Sequence, residues 1–206
     1  MQPLLTVRFY TTLSGREPVR EWLRNLSADD RKTIGTDIKT VQYGWPIGMP
    51  LVRKMVAGLW EVRIDTASGG ARVLFTVIEA QMVLLHAFPK STQKTPKADL
   101  AIALTRLKEV PSMTTHIGSN FDDLLRDDGV LEEVTAIAVK RVIAWQITEA
   151  MKSQGINKTD LAGRMKTSRA QLNRLLDDKD TGLTLDTLSR AAQALGCRLS
   201  IQLTAA

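Results

Sequence analysis

The chain has 206 residues, 44% hydrophobic and 24% charged, which describes a soluble globular protein of one or two domains. Its longest apolar runs fall far short of the roughly 18 residues a membrane span needs. MQPLLTVRFY has no basic n-region leading into a long apolar core, so no secretory signal is expected. Cys197 is the single cysteine, so no internal disulfide can form, and this fits a reducing cytoplasm. The two histidines, His86 and His116, lack ligand-spaced companions, so neither a metal nor another cofactor is expected. The net charge of +6 is uneven: residues 1 to 112 hold 16 Lys+Arg against 10 Asp+Glu, and residues 113 to 206 hold 12 against 12. Residues 113 to 133 alone carry six acids against Arg126. A basic domain followed by an acidic segment suggests a polyanion-binding surface with a built-in competitor.

In chain order, Leu4 to Tyr10 predicts a first strand, at a sheet edge. Pro18 opens a helix with Val19, Trp22, Leu23 and Leu26 at helical spacing. Ser27 and Asp30 form a capping-box pattern for a second helix reaching about Gln42, and Gly44, Pro46, Gly48 and Pro50 break the chain. Leu51 to Val56 and Leu59 to Asp65 read as strands, the latter with Leu59, Glu61, Arg63 and Asp65 on one face. Ser68-Gly69-Gly70 marks a hairpin turn before strands at Ala71 to Glu79 and Gln81 to Phe88. Thr95 and Pro96 then suit the N-cap and first position of a helix to about Glu109. The order β-α-α-β-β-β-β-α makes a small α+β domain over residues 1 to 110, an antiparallel sheet with helices.

Beyond a junction at 111 to 116, residues 117 to 206 read as all-α with one late strand. Asn120 caps a short acidic helix ending at Gly129, and Leu131 to Ser153 is a long helix closed by Gly155. Asn157 and Asp160 form a second capping-box pattern, opening a helix to Met165. A tight turn leads to a helix from Ser168 to Leu176; Thr184 caps another, Leu185 to Leu195, ended by Gly196. Arg198 to Thr204 alternates like a half-buried strand. Two short helices joined by a tight turn make a helix-turn-helix unit within about 155 to 196, whose second helix enters the major groove. Ser168, Arg169, Ala170, Gln171, Asn173 and Arg174 are then the DNA-facing candidates. Arg169 suits guanine O6/N7 and Gln171 adenine N6/N7, both bidentate pairings.

GINKTDLAGRMKTSRAQLNRLLD resembles the helix-turn-helix of the Xre/Cro family, and the segment after the junction resembles HigA-type antitoxins. One departure is Lys166, at a turn position where the family usually has glycine, which costs about 1 kcal/mol if its φ is positive. Residues 4 to 110 resemble HigB-type toxins of the RelE/ParE superfamily, phage Gp49-like proteins included. The carrying residues are Lys54, then GLWEVR from Gly58 to Arg63, RVLF from Arg72, HAFPK from His86, and Lys94-Thr95-Pro96. Ser91 stands where relatives often carry a further basic residue.

The resemblance implies a ribosome-dependent endoribonuclease that cuts mRNA at the decoding site, joined to an antitoxin that neutralises it and represses its own operon as a homodimer. Cleavage through the RNA 2′-OH needs no metal: it needs a base, cations for the phosphorane and an acid for the leaving oxygen. Arg63 and Arg72 suit phosphate clamping, His86 suits acid–base work, and Lys54, Lys90 and Lys94 suit RNA holding. Glu61 positions a cation or accepts a proton; Phe88 stacks on a base or belongs to the core. Leu85 to Lys97 reads alone as a solvated strand exit, and beside Lys54, Arg63 and Arg72 as one wall of a phosphate site. The acidic segment 117 to 133 is expected to cover that wall. Two alternatives remain open: a DNA-binding repressor carrying an inactive toxin relic, and a gyrase-poisoning toxin of the same superfamily.

Overall fold

The computed structural model describes residues 1–110, 116–177 and 182–200 and divides the chain into two compact units, Pro3–Val134 and a second from Thr135 onward. Of the expected junction at 111 to 116, residues 111–115 lie outside the described residues. The first unit therefore extends past it and takes in residues 116 to 134, which sequence reading had placed in the second half.

Its sheet has six strands: β1 (Thr6–Tyr10), β2 (Val52–Val56), β3 (Leu59–Ile64), β4 (Ala71–Ile78), β5 (Gln81–Pro89) and β6 (Ile117–Asn120). They lie in the order β2-β3-β4-β5-β1-β6. Strands β2 to β5 form an antiparallel meander, and β1 joins β5 in parallel. The expectation that β1 is an edge strand is corrected: β6, too short and polar to be legible as a strand, pairs antiparallel with its outer side. Glu79 and Ala80 turn β4 into β5, both with positive φ (48° and 61°), so this is a tight turn built without glycine.

Helices α1 (Pro18–Arg24) and α2 (Ala28–Gly44) pack on one face, α1 against β1 and β5 and α2 against β3. The Ser27 side chain accepts from the Asp30 amide as its cap pattern predicts, whereas the Asp30 carboxylate receives the Ser68 hydroxyl at 2.5 Å. Helix α3 (Lys97–Glu109) covers the other face, where Ala103 joins Tyr10, Leu59, Leu74, Val83, Leu85 and Phe88 in a core. Its N-cap is Pro96, not Thr95, because the Thr95 hydroxyl is engaged by Glu61.

Asn120 caps α4 (Phe121–Asp127), accepting from the Asp122 amide. Phe121, Leu124 and Leu125 are buried; Phe121 lies 5.7 Å from Phe9, ring to ring, and a Cβ on Gly35 would meet Leu125 at 2.8 Å. Burial of each such side chain stabilises by about 1.5–3 kcal/mol. Residues 116 to 134 thus fill a place in the first unit's own core.

Helix α5 (Leu131–Ser153) begins in the first unit and continues into the second, which adds α6 (Lys158–Arg164), α7 (Arg169–Leu176) and α8 (Leu185–Ala194). Ile147, Met151, Ile156, Leu161, Met165, Leu172, Leu175 and Leu195 make its core. Asn157, Ser168 and Thr184 each accept a backbone amide as N-caps. Of the expected late strand, Arg198 to Ser200 is not extended pairing structure, and residues 201 to 204 lie outside the described residues. Among the described residues, no helix is long and apolar enough to cross a membrane.

Candidate functional site

Strand register decides which of the expected catalytic residues meet. Glu61 faces Leu74 across β3–β4, and Leu74 faces His86 across β4–β5; Arg63 likewise pairs with Arg72, and Arg72 with Phe88. Paired residues share a face, so Glu61, Arg63, Arg72, His86 and Phe88 all lie on the α3 side of the sheet.

Glu61 and Arg72 are 0% and 1% exposed. Arg72 Nη1 donates to Glu61 Oε1 at 2.8 Å and to Thr95 Oγ1 at 3.4 Å, while Nη2 donates to the carbonyls of Thr92 (3.0 Å) and Gln93 (2.8 Å). The second Glu61 oxygen accepts the Thr95 hydroxyl. Burying a guanidinium is tolerable only when its charge and its donors are matched, as here. The pair therefore fastens the loop from Ser91 to Pro96 to the sheet. Two expectations change with it: Arg72 is walled off from a phosphate, and Glu61 is an interior partner, not a surface one.

The loop so fastened displays Lys94, which is exposed, and Arg63, on the same face as Glu61, keeps a side chain 31% exposed with Nε 3.7 Å from Glu61 Oε1. Lys90 is exposed and its Nζ lies 3.1 Å from Asp65. Lys54 does not join them. It pairs with Trp60, whose side chain points to the opposite face, and its neighbour Arg53 takes the place opposite Glu61. Alternation along the expected strand Leu51 to Val56 carries that signal, since neighbours on a strand point to opposite faces.

His86 Nε2 lies 2.8 Å from Asp99 Oδ1, and Arg106 Nη1 approaches Nδ1 at 3.5 Å while donating to the Leu85 carbonyl at 2.7 Å. Arginine can only donate, so Nδ1 is the accepting nitrogen and Nε2 carries its proton toward Asp99. Burial is the first cause that lowers the His86 pKa from its ordinary value; the Asp99 hydrogen bond opposes it and the Arg106 charge adds to it. His86 is a neutral, oriented imidazole, with Asp99 and Arg106 as partners that α3 supplies from the far side of a loop. Phe88, 6% exposed and stacked on His86 at 5.5 Å, belongs to the core and not to a base-stacking surface.

The acidic segment packs on the first unit as expected, but against a different surface. Asp127 reaches Arg20 and Arg24 at 3.5 Å, Asp128 reaches Arg31 at 2.8 Å, Glu133 reaches Lys32 at 2.6 Å, and Asp122 reaches the buried Lys39 at 2.9 Å. These cations belong to α1 and α2, and β6 lies at the sheet edge opposite β2. The expected cover over Leu85 to Lys97 is thus replaced by neutralisation of the helical face. With the boundary at Val134, residues 3–134 hold 17 Lys+Arg against 16 Asp+Glu, and residues 135–206 hold 11 against 6. The balance is +1 for the first unit and +5 for the second.

In the second unit Ser168, Arg169, Ala170, Gln171, Asn173 and Arg174 are all exposed, while Leu172 and Leu175 between them are buried. Ser168 caps α7, so its hydroxyl already receives the Gln171 amide at 3.1 Å. Thr167 donates to Gln171 Oε1 at 2.6 Å and Lys158 to Asn173 Oδ1 at 3.3 Å, holding both amides in place. Lys166 has φ 51°, and the bonds Lys166 N to Gly163 O and Thr167 N to Ala162 O close a Schellman motif. Sequence reading overlooked Lys140: 2% exposed, it donates to the carbonyls of Arg174 (3.3 Å) and Asp177 (2.6 Å) at the C-terminal end of α7. A cation there also complements the helix dipole.

Residues 21–108 match the family described as phage derived protein Gp49-like, and residues 146–200 match the Cro/C1-type HTH DNA-binding domain. No curated protein is a significant match to the chain. A toxin-like Gp49 domain is thus followed by a Cro-type helix-turn-helix, the architecture of a toxin joined to an HTH antitoxin.

Proposed function

We propose that this chain, a Gp49-like domain joined to a Cro/C1-type helix-turn-helix, is a cytoplasmic toxin–antitoxin module that binds RNA with its first unit and operator DNA with its second. The observation that carries the DNA half is α7, with all six DNA-facing candidates exposed, five of them polar, and two leucines anchoring it from behind. Arg169 and Gln171 read bases, Arg174 adds charge, and the unit represses its own operon as a homodimer on a palindromic site.

For the first unit the reading is a metal-independent endoribonuclease acting on mRNA at the ribosome. Arg63, Lys90 and Lys94 hold phosphate, and His86, oriented by Asp99, moves the proton once RNA draws Arg106 off Nδ1. Glu61 and Arg72 act through the loop that they position. A second reading, a repressor with a silent toxin relic, is favoured by one observation: both nitrogens of His86 are partnered as the site stands.

Induction of the full chain, of residues 1–134, and of each with Arg63→Ala plus Lys94→Ala separates the two. Growth arrest and mRNA cleavage by residues 1–134, lost in the double variant, support the nuclease. No arrest by residues 1–134, with sequence-selective footprinting by the full chain, supports the relic. Footprinting without sequence preference at moderate salt overturns the operator reading.

A further inference from the structure

Many cations of the first unit are already paired. Those of α1 and α2 are paired with the chain's own carboxylates, and Arg63 and Lys90 have Glu61 and Asp65 close by. Arg53 and Lys54 are exposed and, like Lys94, Lys97 and Lys108, have no side-chain ion pair among the described residues. They sit on β2, the strand at the sheet edge that β6 leaves open. As neighbours on one strand they point to opposite faces, so cationic charge flanks this edge on both sides.

On the Lys54 side the next residue across the ladder is Trp60. Trp60 is half-buried, with one ring face at 6.0 Å from buried Phe75 in a stacked geometry (25°). Trp45, also half-buried, meets Trp60 edge-on at 5.1 Å and Phe75 at 5.7 Å. Phe75 backs Trp60 from the core and Trp45 stands edge-on to both, so the two indoles form a corner that keeps accessible area. Nearby in the chain, Met49 and Val56 remain 59% and 41% exposed. Unpaired cations beside half-exposed indoles match a single-stranded nucleic acid better than an apolar protein partner, since bases stack on indoles and phosphates seek the cations. Double-stranded nucleic acid keeps its bases stacked on each other and gains nothing from such a corner.

We propose that the open edge at β2 is a contact for single-stranded RNA, with an unpaired base stacked on Trp60 and bordered by Trp45, Lys54 on the adjacent phosphate, and Arg53 holding the strand as it passes to the opposite face. The proposal rests on the ribonuclease reading of the first unit and deepens it: the strand held at this edge continues toward Arg63 and Lys94. It also gives Lys54 a place that the register denies it among the residues around Glu61.

The test uses the full chain and a single-stranded 12-nucleotide RNA of mixed sequence, with the same sequence as a duplex for comparison. Binding is read by fluorescence polarisation of labelled RNA and by quenching of tryptophan emission. The expected result is quenching by the single strand alone, and affinity about tenfold weaker in Lys54→Ala and in Trp60→Phe plus Trp45→Phe. Circular dichroism on the variants keeps loss of fold separate, and Lys54→Ala, at an exposed position, leaves the core rings untouched. Equal affinity for the duplex, or unchanged affinity and quenching in Lys54→Ala and the double tryptophan variant, overturns the edge contact. If RNA is still cut in that case, the ribonuclease reading survives; absence of RNA binding to any form overturns both.

Discussion

Glu61 and Arg72 sit eleven positions apart, and only their burial tells what they do. At 0% and 1% exposure the pair contributes as a unit, and losing one member strands the other's charge. Glu61→Ala is expected to cost about 3–5 kcal/mol of stability, whereas Glu61→Leu with Arg72→Met costs clearly less, because no buried charge is left. Denaturant midpoints for the three chains decide; equal losses in the single and double variants refute the interior pair. His86 yields a pH effect. Its folded pKa lies below the unfolded value, so the unfolded chain takes up the proton first and stability declines as pH falls from about 6.5 toward the folded pKa. Above that window the contribution is complete, and His86→Gln removes this part of the pH dependence. Lys166, with φ 51° at the C′ position, is expected to gain about 1 kcal/mol on replacement by glycine, visible as a higher melting temperature of the second unit.

At the scale of elements, β6 and α4 change the meaning of the acidic segment. Its backbone extends the sheet beyond β1, and Gly118 approaches so closely that a Cβ would stand 3.0 Å from the Phe9 carbonyl. Its apolar side chains, Phe121, Leu124 and Leu125, are 1%, 3% and 1% exposed. A fragment ending at residue 110 gives up all three, at an upper estimate of about 1.5–3 kcal/mol each, against a total domain stability of about 5–15 kcal/mol. Residues 1–134 are therefore expected to unfold cooperatively and residues 1–110 to lack a cooperative transition, as urea titration followed by tryptophan fluorescence will show. A toxicity assay on the shorter fragment would report a missing piece of sheet and core, not the release of an inhibitor.

Over the whole molecule, the placement of the boundary decides where the charge lies. Cut at the junction, the excess is entirely in the first half; cut at Val134, the first unit holds +1 and the second +5. The salt dependence of DNA affinity is accordingly expected to reside in the second unit. Arg169→Ala and Arg174→Ala should each lower the slope of log affinity against log salt by about 1 if the side chain meets a phosphate, and relax base preference instead if it meets a base. Replacing Asp127, Asp128 and Glu133 by amides should leave that slope unchanged while weakening the first unit. A shift in the slope would show that the acidic segment competes for DNA.

Much was legible without tertiary structure because the physics involved is short-range. Ser27, Asn120, Asn157 and Thr184 cap helices by reaching amides two or three residues away, and the period of the apolar residues selects helix or strand locally. The helix-turn-helix with its exposed α7 residues, and the positive φ awaiting Lys166, belong to the same class. Tertiary structure alone decided the rest. Glu61 and Arg72 became interior because the Thr92–Thr95 loop closes over them; Lys54 parted from Arg63 through the register of β2 on β3. The acidic segment went to α1 and α2 because its strand found the open side of β1. Whether a charge is solvated, paired or buried depends on residues far away in the chain, and desolvation makes that difference worth several kcal/mol for each ion.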